Sequence, residues 1–390
     1  MSGRSRASRR AQATPHAPNR RQFLGRAGLV AGGVALTPTV LAACGGDDGG
    51  SSSGGGGDNA LEISNWPLYI DGDTVPNFEQ KTGIDVTYKE DINDNNELFA
   101  KIQEPLANGD SIGADIIVPT GWLATRLIDL GYVQKLPLDK VPNARNVVPR
   151  LQDPAWDPTN EYTLPWQSGI GVIAYNIAET GRELRDFDDL LDPDFAGRVG
   201  MLLEMRDTLG LALLAEGVDI TTVTFDQAQD AFDKIERAAN DGQIRRFTGN
   251  NYASDLLNGN FVANTAWSGD VAQLAQQNPN LRVVIPESGG TLWADTMVWV
   301  SPSDREDAVA EWMNYVYDPE NYAPITSKVS YLPVVDGVQE VLEGTDPEAA
   351  ENPLVFPPPD VEDRLFQFKT LDEDEEAEFD ERWAEVTGQA

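Results

Sequence analysis

Five times along the 390-residue chain, an aromatic ring, a carboxylate or both fall just past the carboxyl end of a short apolar run. Trp66 and Tyr69 follow the run from Leu61, and Thr120 and Trp122 follow Val118. Glu204 and Asp207 come after Leu203, Trp267 and Asp270 close the run from Phe261, and Trp293 and Asp295 follow Gly289-Gly290. Tyr331 stands in a late loop. Singly, each tryptophan reads as core and each acid as solvated surface. Together they describe a surface for an alkylammonium: ring quadrupoles attract the cation, and carboxylates accept its hydrogen bonds. Few basic residues adjoin them in sequence, so the carboxylates are expected to await a cation from outside.

The rest of the composition removes most other chemistry. His16 is the only histidine and Cys44 the only cysteine, and both precede the globular part. That part therefore has no imidazole base, no thiolate nucleophile and no His- or Cys-ligated metal site. No catalytic residue, metal or cofactor is assigned. The chain carries 29 basic against 64 acidic residues, and every charge in the first 43 residues is an arginine. So acidic a body repels nucleic acid and anionic headgroups, which excludes nucleic acid as a partner. With 8 Lys against 21 Arg, the acidity also fits a saline habitat, so the ligand reading rests on the clustered residues rather than on bulk charge.

The elements that must hold these residues alternate strand with helix. Leu61–Trp66 reads as a strand. Thr74 is placed to cap a helix with Pro76 in its first turn and Gly83 at its end. Ile84, Val86 and Tyr88 alternate as a half-buried strand. Leu98, Ile102 and Leu106 share a helical face that Gly109 ends, and Ala114–Val118 is a buried strand. Further strands are expected at 170–175, 199–203, 261–267 and 281–285, with a helical stripe at Ala228, Phe232, Ile235 and Ala239. Ser303-x-x-Glu306 has the form of a capping box before Val309, Trp312, Met313 and Val316. The acidic tail Asp372–Glu381 reads as a solvated helix docked by Phe379 and Trp383, clear of the clustered residues. Such alternation predicts an α/β fold with mostly parallel sheets, and in open α/β sheets ligands bind at the carboxyl ends of strands.

The amino terminus is an address. Arg20-Arg21 precede Phe23-Leu24 and a small-residue apolar stretch from Ala27 to Val40, then Leu41-Ala42-Ala43-Cys44. Paired arginines before such a stretch resemble a twin-arginine export signal, and Leu-Ala-Ala-Cys resembles a lipobox whose cysteine is acylated. The stretch falls short of the ~20 residues a spanning helix needs. Residues 1–43 are thus expected to be a signal peptide. Residues 44–60 would form a lipidated cysteine and a Gly/Ser tether with a reach of roughly 20 Å, holding the body at the outer face of the cell membrane.

From Leu61 to the carboxyl terminus the chain resembles the spermidine/putrescine-binding (polyamine-binding) proteins of bacterial ABC importers. The landmarks are Asn65-Trp66-x-x-Tyr69, Asp115-Ile-Ile-Val-Pro119, Tyr162-Thr-Leu-Pro165, Asp186–Leu191, Trp267-Ser-Gly, Gly289-Gly-Thr-Leu-Trp293-Ala-Asp295 and Tyr331-Leu-Pro333. The resemblance implies a two-lobe periplasmic-binding-protein (type II) clamshell whose hinge the chain crosses more than once, through extended runs at Tyr162–Ile170 and Asp295–Ser301. Lobe one would take 60–166 and 296–333, and lobe two 167–295 and 334–390. It also implies that Trp66, Tyr69, Trp122, Trp267, Trp293 and Tyr331 box a methylene chain, that Thr120 lends a hydroxyl, and that Glu204, Asp207 and Asp295 receive ammonium groups. The family's Asp-then-Glu order is reversed at Glu204 and Asp207, its serine–tyrosine pair is Thr120 and Trp122 here, and its late amide ligand falls near Gln367 or Lys369. The implied function is a non-enzymatic, monomeric solute-binding lipoprotein, anchored through Cys44, that delivers a polyamine to ABC permease subunits. Two rivals remain at this point. A carbohydrate-binding lipoprotein also uses tryptophan platforms and acids, and a surface glycosidase needs only paired carboxylates.

Overall fold

The computed structural model describes residues 59–389. The export segment, Cys44 and the tether up to residue 58 lie outside the described residues. Among the described residues, no helix is long and apolar enough to cross a membrane.

Eleven strands form one continuous sheet: β1 (Ala60–Asn65), β2 (Asp85–Glu90), β3 (Ile116–Ile117), β4 (Val133–Gln134), β5 (Thr163–Asn176), β6 (Val199–Leu202), β7 (Ile244–Thr248), β8 (Ala263–Trp267), β9 (Leu281–Val284), β10 (Gly290–Val300) and β11 (Leu365–Phe366). Their order is β2-β1-β3-β10-β5-β8-β6-β7, with β4 and β11 on β10 and β9 on β5. The two flanks, β2-β1-β3 and β7-β6-β8, are parallel as strand–helix alternation requires. The centre is not. β5 and β10 pair antiparallel with each other, and each runs antiparallel to the flank beside it. The expectation of mostly parallel sheets therefore fails at the centre, because these two strands are long connections between the flanks rather than members of βαβ units. β5 is 14 residues long and buried throughout, about 45 Å at ~3.3 Å per residue.

Hydrophobic packing divides around those strands. One cluster holds Leu61, Ile63, Phe78, Ile116, Leu123, Trp166, Trp312 and Tyr322, and another holds Phe187, Met201, Leu209, Phe232, Phe379 and Trp383. Val334, Val335, Val338 and Leu342 pack in the first cluster.

Local readings fare unevenly. Gly83 closes the helix Thr74–Thr82 at φ 72°, a left-handed turn that favours glycine. The cap position, however, is Asp73 and not Thr74, whose hydroxyl is bonded to Asp71. The stripe at Ala228, Phe232 and Ile235 is buried on the helix Phe225–Asn240. The capping box at Ser303 does not form. Its Oγ donates to Asp115 at 2.7 Å, and the helix Glu306–Val316 starts without a side-chain cap. The tail is the helix Glu373–Thr387, and Phe379 and Trp383 dock it as expected.

Candidate ligand-binding cleft

The carboxyl ends of the flank strands, the body of β10 and the loop at Tyr331 deliver the clustered residues to one cavity. Trp66 leaves β1 and ties its indole Nε1 to the Val118 carbonyl at 2.8 Å, so the ends of the first parallel flank are fixed together. Thr120 and Trp122 open the helix Gly121–Asp129. Glu204 caps the helix Met205–Ala215, and Asp207 lies in its first turn. Trp267 ends β8, and Asp270 stands in the first turn of the helix Ser268–Gln277. Helix amino termini carry partial positive charge, which lowers the cost of placing carboxylates there. Trp293 and Asp295 come from β10, where its pairing with β5 shifts register between Asp295 and Thr296.

All ten residues singled out by sequence (Trp66, Tyr69, Thr120, Trp122, Glu204, Asp207, Trp267, Trp293, Asp295 and Tyr331) line this cavity, which encloses about 930 Å³ of atom-free space out to its mouth. The rings touch edge to face: Trp66 with Trp267 at 6.2 Å, Trp267 with Trp293 at 6.5 Å, Trp293 with Tyr331 at 5.3 Å, and Tyr331 with Tyr69 at 5.3 Å. Two glycines of β5 make room for this wall. A Cβ on Gly169 would sit 2.3 Å from Trp293, and one on Gly171 would sit 2.0 Å from Thr291 Oγ1.

The carboxylates divide by what holds them. Asp207 accepts from Thr291 Oγ1 at 2.6 Å and from Trp267 Nε1 at 2.7 Å. Asp295 accepts from Thr120 Oγ1 at 2.6 Å and Tyr69 Oη at 2.7 Å. Asp270 accepts from Tyr331 Oη at 2.6 Å and Tyr252 Oη at 2.8 Å. All three are buried, and among the described residues none has a cationic side chain at salt-bridge distance, although the charge of Arg206 reaches Asp207 from farther off. Burial accordingly pushes their carboxyls up, Asp270 to about 6 and Asp295 to about 7, with the neutral donors, and at Asp207 also the charge of Arg206, only partly opposing it. Glu204 differs. Burial raises it to about 8, but the guanidinium of Arg206 stands 3.7 Å away and pulls in the other direction.

A family model described as bacterial extracellular solute-binding protein matches residues 74–357. The chain belongs to that family. It is 29% identical over 337 residues to the putrescine-binding periplasmic protein of Escherichia coli, covering 80% of this chain and 87% of that one. It is 24% identical over 305 residues to a spermidine/putrescine-binding periplasmic protein of Haemophilus influenzae, covering 78% and 82%. A solved Listeria monocytogenes protein assigned to spermidine/putrescine ABC transport superposes with a TM-score of 0.74 at 25% identity, over 84% of this chain and 98% of that one. The fold is the α/β clamshell of these binding proteins.

The cleft of this solute-binding protein also holds residues that sequence reasoning passed over. Asp270 was noted after its strand but left out of the ligand set, although its i+3 spacing from Trp267 puts both at one helix start. Asn95 had no signal at all, yet its Nδ2 reaches both Thr120 Oγ1 at 2.9 Å and Glu204 Oε2 at 3.3 Å. Gln367 and Lys369 both line the cavity. Two expectations need correction. Basic side chains are present: Arg206 lies 4.2 Å from the Trp122 ring centre, and Lys369 pairs with Glu375 at 2.6 Å. Nor does the acidic tail stand clear of the cleft, because Glu376 binds Arg206. One face of the tail helix supplies the counter-ions of the cleft's own cations.

Proposed function

We propose that this solute-binding protein captures a polyamine of the putrescine or spermidine kind and delivers it to an ABC permease. The observation that carries the reading is the group Asp207, Asp270 and Asp295: buried carboxylates held by six neutral donors, beside a wall of aromatic rings. A neutral donor orients a carboxylate without cancelling its charge. An alkylammonium supplies the missing charge, and its methylenes take the ring faces. The names of the relatives point to the same ligand class. Micromolar affinity requires about −8 kcal/mol. Two charge-assisted hydrogen-bonded ends at ~1.5–3 kcal/mol each and a few cation–π contacts of up to ~2 kcal/mol exceed that before ligand ordering is subtracted.

The cleft lies where the two hydrophobic clusters meet, and β5 and β10 run between them, so these strands are the proposed hinge. Lobe one would then include 334–350, whose apolar side chains pack in the first cluster, besides 60–166 and 296–333. Ligand would draw the lobes shut, and the shut form would dock on the permease. Export through Arg20-Arg21 and acylation at Cys44 would hold a monomeric body at the outer face of the membrane on its glycine–serine tether. The role is binding and not catalysis. Calorimetric titration with putrescine, spermidine, spermine and agmatine, against glucose and maltose, tests the ligand class. Heat of binding with amines and none with sugars is expected. Binding of sugars alone would overturn the reading.

A further inference from the structure

One end of the cleft already contains a cation. Arg206, its side chain 12% exposed, has its guanidinium over the Trp122 ring, Nη1 beside Glu204, and Nη2 bonded to Glu376. The helix that carries Glu376 is pinned at the same place, since Trp383 Nε1 donates to the Leu203 carbonyl at 2.7 Å, one residue before Glu204. The guanidinium is therefore clamped by an aromatic face and two carboxylates. Those are the features an ammonium group seeks, and here the chain's own side chain fills them.

We infer that Arg206 is a specificity-determining residue: it occupies the subsite at which a third ammonium would bind, and so limits the cleft to short diamines. The inference rests on the polyamine reading. The ammonium groups of a short diamine are served by Asp207, Asp270 and Asp295, none of which is ion-paired among the described residues. A triamine long enough to pass them meets a like charge at Arg206 and a covered ring at Trp122. Both are repulsive elements, and discrimination between related ligands commonly depends on such elements. Glu376 Oε1 has no hydrogen-bond partner among the described residues, so an acceptor for a further ammonium becomes reachable once the guanidinium is gone.

Calorimetric titration of the full chain with putrescine and with spermidine tests this, alongside Arg206→Gln and Arg206→Lys. The unsubstituted protein should prefer putrescine by about tenfold or more, the size of one lost charge-assisted contact. Arg206→Gln should move the ratio of the two dissociation constants toward spermidine by about tenfold, and Arg206→Lys, which keeps the charge, should keep the preference for putrescine. A ratio unchanged in Arg206→Gln overturns the inference while the polyamine reading stands. So does an unsubstituted protein that binds spermidine as tightly as putrescine, a result that needs no folded variant. If neither amine binds, the polyamine reading falls and takes the inference with it.

Discussion

Acid should empty the cleft, and the size of the effect follows from the raised carboxyls. A protonated carboxyl offers an ammonium no charge and one acceptor fewer, so tight binding requires Asp270 and Asp295 in the ionised form. Burial holds these at about 6 and about 7. At pH 5 the first is then protonated about 10:1 and the second about 100:1, which together reduce affinity about a thousandfold, or ~4 kcal/mol. Alkylammonium groups titrate near 10, as lysine does, so the ligand keeps its charge throughout. Titrations of putrescine at pH 8, 7, 6 and 5, each in two buffers of different ionisation enthalpy, measure both affinity and protons released. Affinity should fall with decreasing pH, and near pH 6 binding should release at least one proton. Asp295→Asn should remove the proton belonging to that carboxyl as well as weaken binding at pH 8. Affinity constant from pH 8 to 5 would refute the placement of an ammonium against these groups. Stability has the complementary sign. A carboxyl raised in the folded state is favourable below its unfolded value near 3.9, and that contribution is lost as pH rises through the folded value. The ligand-free protein should therefore lose stability between about pH 4 and 7, and saturating putrescine should restore it above pH 7.

Asp207→Asn should weaken polyamine binding by ~2–5 kcal/mol, whereas Glu378→Gln with Glu381→Gln, exposed and turned from the cleft, should leave it nearly unchanged; equal losses would mean diffuse electrostatics. Gly171→Ala forces a Cβ against Thr291 Oγ1 and within 3.0 Å of Asp207 Oδ1, so ligand affinity and melting temperature should both drop, by ~1–3 kcal/mol of overpacking. Because Trp66, Trp267 and Trp293 line the cleft, saturating putrescine should change tryptophan emission, and maltose should not. Cys44→Ser should release the folded protein from the membrane fraction; retention equal to the unsubstituted protein would exclude lipid anchoring there.

Trp293 and Asp295, inside β10, were legible from the Gly289-Gly290 turn before them. Most of the other cleft residues were legible because they lie where a run of one periodicity ends, as Trp66, Thr120, Glu204 and Trp267 do. Flank strands and helices were legible for the same reason, as with Phe232 and Ile235 or the docking pair Phe379 and Trp383. What stayed hidden depends on contacts between distant segments. The strand at 170–175 and the extended run at Tyr162–Ile170 read locally as separate pieces, yet they are one strand from Thr163 to Asn176, because β10 pairs along Thr163–Gly171. The Ser303 cap gave way to Asp115, nearly 190 residues earlier, which no local pattern anticipates. Arg206 is one residue before Asp207 in sequence, but that it faces Trp122 and Glu376 is decided by the docking of the carboxyl-terminal helix. Adjacency in sequence did not reveal it.

The same helix start contains two ways of treating a buried carboxylate. Glu204 has a guanidinium beside it, although burial still raises its carboxyl to about 8. Asp207, three residues on, is given a threonine hydroxyl and an indole N–H. Neutral hydrogen bonds contribute ~0.5–1.5 kcal/mol each, against several kcal/mol for desolvating the charge. The second arrangement is thus the less stable one for the empty protein, and it recurs at Asp270 and Asp295. An arginine at each place would have supplied the opposite charge internally, as Arg382 does for Asp233 and Glu236 outside the cleft. Leaving these three without one preserves a deficit that only a bound cation removes. What points to a cationic ligand is therefore that, among the described residues, three buried acids have no ion-paired partner, and the 64 acidic residues of the chain as a whole say little about it.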